Sequence, residues 1–433
     1  MTHTAIEIEL ANGAKGLLVD IPGATVMDFE FNFRAGEYLV DRTKWEVPHL
    51  MEHVLLGANK FIPKARLFQA EFEKNGAGNN ASTGFYYITY EAECADFEWQ
   101  RILELMLVAI SKPLFLREEY LAEYGNVKDE LVSRSNNHFR TLSLTAREAH
   151  GLLAMTDRER LKMMKNVKLK DLQEHYERTH TTKNMRFVIA GNLKGRAAAI
   201  KRMLEGVDLP KGRNQFDLPV ETPKNLNQPV FVARPSVKNV YFDLDTFAMK
   251  RFDDADMDAL ELVNGMLTGT LYSRILGEAR ERGLVYNMGS GVEVMRSATE
   301  WWFSAQVIAR NAPALFEIIV RELKRVREGD ISSEDLDAAK QYWLGRHQRS
   351  AQTVGGTMSG YTGRYYFDGI LNDYNAIPER IKAVTKDRIV EATSQMFGDS
   401  IGGLAVLGGG SRSRELTERL NEIVRPLWEK SGA

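Results

Sequence analysis

Two histidines and a glutamate fall within five consecutive residues, His49-Leu50-Met51-Glu52-His53. An imidazole nitrogen offers a lone pair to a divalent cation, and a carboxylate can take a proton from water. At about 100° per helical residue, His49 and His53 sit about 40° apart around a helix axis. Glu52 lies on the same side, about one turn on from His49. One ion can therefore meet both rings while Glu52 stays free to face a water beside it. Histidines on one helical face also occur as hydrogen-bonded packing residues, so the rest of a site has to be found elsewhere in the chain.

A hydrolytic zinc site usually takes three protein ligands and leaves one position open. The richest source of a third ligand is residues 116–131, which read as a long helix after Pro113. Glu123 and Glu130 are seven apart and share one face, two turns from each other. One would ligate the ion and the other would hold a ligating histidine from behind. Most glutamate-rich helices are simply solvated, and spacing alone does not choose between the two roles.

The elements that must carry these residues come in two related halves. Residues 167–191 read as a helix delivering an apolar strand that stops at Gly191, and residues 384–408 do the same, stopping at Gly408. The two stretches are offset by 217 residues at both ends, Leu172 against Ile389 and Gly191 against Gly408. Val26-Met-Asp-Phe-Glu-Phe-Asn-Phe33 alternates like a half-buried strand, as does Val240-Tyr-Phe-Asp-Leu-Asp-Thr-Phe247. A helix follows each, beginning near Pro48 and near Asp254; proline suits a first helical turn, where its missing N–H costs nothing. The expected division is a metal-binding domain over 1–212, a linker over 213–228 rich in Pro, Asn, Lys and Asp, and a second domain of the same fold over 229–433. The fold class is α+β. The second half has one histidine, His347, and Leu260-Glu-Leu-Val-Asn-Gly-Met-Leu267 stands where the metal helix would be. One ion per chain is expected, in the first half.

Composition narrows the partners. The 433 residues are 44% hydrophobic with a net charge of −2, ordinary for a globular protein with a sizeable core. No long basic block is present, which argues against nucleic acid. The longest apolar stretch, Ile102 to Ile110, is interrupted by Glu104 and too short to cross a bilayer. The N-terminus lacks a basic start followed by an apolar run, so no secretory signal is read there and a cytoplasmic location is expected. The single cysteine, Cys94, cannot form an internal disulfide and reads as a small buried hydrophobe.

The H-x-x-E-H order reverses a spacing common in zinc proteases. With Glu130 lying 77 residues after His53, and Glu123 before it, the chain resembles the pitrilysin/insulinase family of zinc metallopeptidases over essentially its whole length. Further stretches carry the resemblance. Arg34-Ala-Gly-Glu-Tyr38 looks like the family's strand-to-helix approach to the metal. Asn80-Ala81-Ser82-Thr83, followed by Phe85-Tyr-Tyr-Ile-Thr-Tyr90, resembles the edge strand on which those enzymes lay their substrate. Residues 272–286 resemble the segment whose arginine and tyrosine face the zinc. There the chain departs from the pattern: Ala279 stands seven residues before Tyr286, where that arginine is expected, and Arg280 stands six before it.

The resemblance implies that His49, His53 and Glu130 bind Zn2+, that Glu52 is the general base, and that Glu123 supports the site from behind. It implies that Tyr286 and Arg280 contact the reacting group, and that a peptide binds along Asn80, Ala81, Ser82 and Thr83. It implies two domains of mostly antiparallel sheet facing each other around a chamber. It also implies that so short a member pairs as a homodimer, or as a heterodimer with a related chain. The expected activity is hydrolysis of peptides or unfolded segments by a metalloendopeptidase. The alternative is a non-catalytic or half-catalytic subunit that completes a processing peptidase.

Overall fold

The computed structural model describes residues 2–212 and 214–429. Strands β1 (Thr4–Glu9), β2 (Lys15–Asp20), β3 (Val26–Phe33), β4 (Gly78–Thr83), β5 (Ile88–Ala95) and β6 (Met185–Gly191) form one sheet in the order β1-β2-β6-β3-β5-β4. Strands β7 (Val230–Ala233), β8 (Val240–Ala248), β9 (Met288–Val294), β10 (Thr299–Val307) and β11 (Ile401–Gly408) form another, ordered β7-β11-β8-β10-β9. The order β2-β6-β3-β5-β4 maps strand for strand onto the second sheet. Each sheet holds one parallel pair, β2 with β6 and β7 with β11, among antiparallel neighbours. This is a two-domain α/β fold with mixed sheets, one topology used twice.

Helices fill the connections. The first half contributes α1 (Val47–Leu55), α2 (Ala65–Glu73), α3 (Trp99–Ser111), α4 (Arg117–Arg134), α5 (His138–Ala149), α6 (Asp157–Met163), α7 (Leu169–Thr179) and α8 (Ala197–Glu205). The second contributes α9 (Asp254–Thr268), α10 (Leu276–Glu281), α11 (Ala312–Arg327), α12 (Ser333–Ser350), α13 (Val354–Asp368), α14 (Ile377–Ala383), α15 (Lys386–Gly398) and α16 (Gly410–Val424). Among the described residues no helix is long and apolar enough to cross a membrane.

The compact units do not follow the chain linearly. One gathers Met1–Ser133, Arg158–Leu218 and Gln348–Tyr374; the other gathers Arg134–Asp157, Pro219–His347 and Asn375–Ala433. The boundary between Leu218 and Pro219 falls inside the stretch 213–228, whose described residues form no helix or strand. That stretch is nonetheless held: Phe216 O accepts from Arg34 in the first unit, and Lys224 N donates to His150 O in the second. Helix α13 therefore belongs to the first unit, against β3 and β6, and α5 to the second, against β8 and β11.

Strand periodicity explains how each sheet accepts such a helix. Phe29, Phe31 and Phe33 of β3 point into the first unit's core with the apolar faces of α1, α3 and α7. The alternate residues Asp28, Glu30 and Asn32 lie on the other face, where Gly355 and Tyr366 of α13 approach Asp28 and Glu30. In β8, Phe242 and Leu244 enter the second core. On the opposite face, Tyr241 packs with Leu142 and Ala146 of α5, and Phe247 with Leu152 just beyond it.

The polar face of β3 makes stability depend on pH. Burial, with Glu93 and Glu91 nearby, pushes the Asp28 carboxyl up to about 7. Burial and Glu91 push Glu30 up to about 7 as well. Unfolded carboxyls release their protons near pH 4, roughly three units lower. The folded state thus holds more protons across that window, and its stability falls as pH rises from about 4 to about 7. Asp28→Asn is expected to raise the melting temperature at pH 8 by several degrees and to leave it nearly unchanged at pH 5. Melting curves shifted equally at both pH values would show that Asp28 is not one of the groups responsible.

Candidate metal centre

Helix α1 forms where an apolar stripe meets a proline start. Pro48 occupies its first turn, and Val47, Leu50, Met51, Val54 and Leu55 are buried in the first unit's core. That burial leaves His49, Glu52 and His53 along one flank. The approach to the helix is fixed by Gly36, whose N–H bonds Tyr86 O at 3.1 Å. A Cβ there would fall 2.4 Å from Gly84 O, so any side chain would force the chain away from the turn between β4 and β5. Arg34 closes the same connection by donating to Phe216 O and Phe367 O.

Helix α4 is placed by its own buried face and by its first turn. Tyr120, Val127 and Leu131 are buried, and the Tyr120 hydroxyl donates to Val167 O at 2.9 Å. Glu119 accepts from Ala58 N and Ala65 N, both at 3.0 Å, tying α4 to the loop that leaves α1. Glu123 and Glu130 then fall beside the buried stripe, facing the histidines.

The donors converge. His49 Nε2 is 3.1 Å from Glu130 Oε2, and His53 Nε2 is 3.6 Å from the same oxygen. The rings are 5.0 Å apart and inclined at 79°. One donor atom from each of His49, His53 and Glu130 lies within 4.8 Å of the others. Among the described residues this is the one group of His, Cys, Asp or Glu placed to hold a metal ion. Tetrahedral zinc with bonds near 2.0–2.2 Å sets neighbouring donors roughly 3.3–3.5 Å apart, so small side-chain movements would close this set on an ion. Two imidazoles and a carboxylate also suit zinc chemically, and with three protein ligands a position stays open. The opening is on the side of His53, Glu130 and Glu52, which are partly exposed, while His49 is only 3% exposed.

Both rings are held from behind. His53 Nδ1 donates to Glu123 Oε2 at 3.0 Å, and Asn126 Nδ2 donates to the same oxygen at 3.1 Å. The hydrogen bond from His53 holds the Glu123 carboxyl below its ordinary range. His49 Nδ1 donates to Glu46 Oε2 at 3.0 Å, and Glu46 is bound through both oxygens by Arg160. Arg160 also pairs with Glu37 at 3.0 Å. Burial alone would raise the Glu46 carboxyl, but the bond from His49 and the guanidinium of Arg160 hold it down to about 2.

The other expected residues fall as follows. Asn80–Thr83 lie in β4, an edge strand paired only with β5, and every second residue of β4 is exposed. The aromatic run does not form one strand: Phe85–Tyr87 make the turn, and β5 begins at Ile88. Tyr90 is core, its hydroxyl bonded to His180. Cys94 is buried, as expected. Tyr286 and Arg280 belong to the second unit. Arg280 donates to Tyr286 O and its guanidinium lies 4.9 Å from the ring, which is 83% exposed. Residue spacing did not reveal Glu46, Arg160, Glu37 or Glu119. Glu46 stands three residues before His49, a helical neighbour, and was legible on that ground; Arg160 is 114 residues away and was not.

A family profile described as insulinase (peptidase family M16) matches residues 46–174, and one described as the peptidase M16 inactive domain matches 166–342. The chain belongs to the insulinase family, peptidase family M16. The second profile covers the stretch without an H-x-x-E-H motif. The fold is shared with a protease from Helicobacter pylori, at 18% identity and a TM-score of 0.80 over 94% of this chain and 100% of that one. It is shared with a peptidase M16 inactive domain from Pseudomonas fluorescens, at 18% identity and a TM-score of 0.81 over 94% and 98%. A chain of complex III2 from Candida albicans, solved with Inz-5 bound, superposes at 12% identity and a TM-score of 0.80 over 96% and 99%. No curated protein matches the sequence.

Removing a donor should empty the centre, whereas removing a support should only loosen it. His53→Ala is expected to lose its stoichiometric metal in elemental analysis of the purified protein. Glu123→Gln is expected to keep metal but to bind it about 10–100-fold more weakly. Full occupancy in His53→Ala would remove His53 from the ligand set.

Proposed function

We propose that this protein is a zinc-dependent peptidase acting on peptides or unfolded segments. The observation that carries the reading is the convergence of His49 Nε2, His53 Nε2 and Glu130 Oε2 beside a half-exposed carboxylate, Glu52. A bound divalent ion supplies Lewis acidity, polarising a peptide carbonyl and making a water more acidic. The Glu52 carboxylate takes the proton of the attacking water and returns it to the leaving amine. An extended peptide lies along the outer edge of β4, where main-chain groups of Asn80–Thr83 bond its backbone and alternate side chains are sorted. Tyr286 and Arg280 are assigned the substrate contacts that the family resemblance implies.

A second reading is favoured by the profile described as an inactive domain and by the fold shared with a chain of complex III2. In it the chain is one partner of a two-chain peptidase, with a related chain or a second copy supplying what it lacks. Activity and size measured together separate the readings. The purified chain alone is expected to cleave a quenched fluorescent peptide, to stop with a chelator and to recover with zinc. A metal-loaded chain that stays inert until a related chain is added would support the paired reading instead. Glu52→Gln should retain the metal and lose turnover by about 100- to 10,000-fold. Hydrolysis at the parent rate would exclude Glu52 as the base.

A further inference from the structure

The two imidazoles are backed by very different environments. Behind His53, the Glu123 side chain is 28% exposed and shares its proton acceptor with Asn126. Behind His49, Glu46 is 0% exposed, Arg160 is buried, and Glu37, also buried, pairs with the same guanidinium. Removing a carboxylate from water is strongly unfavourable unless it is paired and fully hydrogen-bonded. Glu46 stands at the N-cap of α1, yet its side chain caps no backbone N–H. Both its oxygens are used instead on His49 and Arg160. The carboxylate thus serves a buried array that ends on one histidine nitrogen, not the helix terminus.

We propose that Glu46, clamped by Arg160, is a positioning residue that fixes the tautomer and orientation of His49 and strengthens its hold on a divalent cation. This inference rests on the reading of His49, His53 and Glu130 as a metal site. A carboxylate bound twice by a guanidinium is ionised and can only accept. The nitrogen 3.0 Å from it, Nδ1, therefore keeps its proton, which leaves Nε2, facing Glu130, as the nitrogen that would bind the cation. The anion behind the ring adds to the electron density that Nε2 offers, the effect known for carboxylate–histidine–zinc arrays. Glu37 has a separate role: it pairs with Arg160 Nη2, the nitrogen that also bonds Glu46, and so holds the guanidinium against Glu46. His49 becomes the rigid arm of the site, and His53, backed by a partly exposed carboxylate, the adaptable one.

Two measurements test this. Histidine-selective 15N NMR of the zinc-loaded full chain reads which ring nitrogen keeps its proton, without any substitution. The expected spectrum has His49 protonated on Nδ1; protonation on Nε2 alone would overturn the proposal. The second compares the parent, Glu46→Gln and Glu123→Gln by zinc competition with a chelator and by the visible spectrum of the cobalt-loaded protein. Glu46→Gln is expected to bind zinc about 10–100-fold more weakly, to lose more affinity than Glu123→Gln, and to shift the cobalt bands. A folded Glu46→Gln protein with parental affinity and an unshifted cobalt spectrum would overturn the proposal while leaving the metal site intact. A parent chain that binds neither zinc nor cobalt would overturn the metal reading and this inference with it.

Discussion

The structure turns on one constraint: a carboxylate from α4 must reach the same point in space as two imidazoles from a single turn of α1. Neither helix achieves this by itself. Helix α1 has nine residues, too short to be stable alone, and is held by the burial of five apolar side chains. Helix α4 is anchored by Tyr120, Val127 and Leu131, and by Glu119 bonding the loop that leaves α1. The same packing that builds the first unit's core therefore sets the spacing of the donors. The centre is buried behind His49 and partly exposed at Glu52, His53 and Glu130.

The duplicated fold makes the second unit a natural control. It repeats the strand order, and α9 follows β8 as α1 follows β3. On α9, Asn264 is used internally: it accepts from Ser290 and from Trp301 Nε1, joining the helix to β9 and β10. The helix that brings His49, Glu52 and His53 to a partly open flank in one half thus has a counterpart that carries closed packing in the other. This agrees with the match of residues 166–342 to a profile described as inactive.

Much of this was legible in the sequence because local rules governed it. Period-two alternation marked β3 and β8, the 217-residue offset marked the repeated helix-and-strand ending, and Pro48 marked the start of α1. Seven-residue spacing put Glu123 and Glu130 on one face, and the family resemblance separated their roles. What could not be read depended on long-range choice. A helical period says that one face is buried, not against which sheet, so nothing in α5 or α13 announced that each would cover the sheet of the other half. The acids Asp28 and Glu30 looked like the solvated side of an alternating strand for the same reason. Arg160 was invisible because an ion pair with Glu46 leaves no trace in the spacing of either residue.

The most direct test of the account is anomalous diffraction at the zinc absorption edge from crystals of the zinc-loaded protein. The account predicts a single strong peak per chain, about 2.0–2.2 Å from His49 Nε2, His53 Nε2 and a Glu130 oxygen. A fully loaded crystal with its peak elsewhere, or with those three side chains turned away from a common ion, would contradict it.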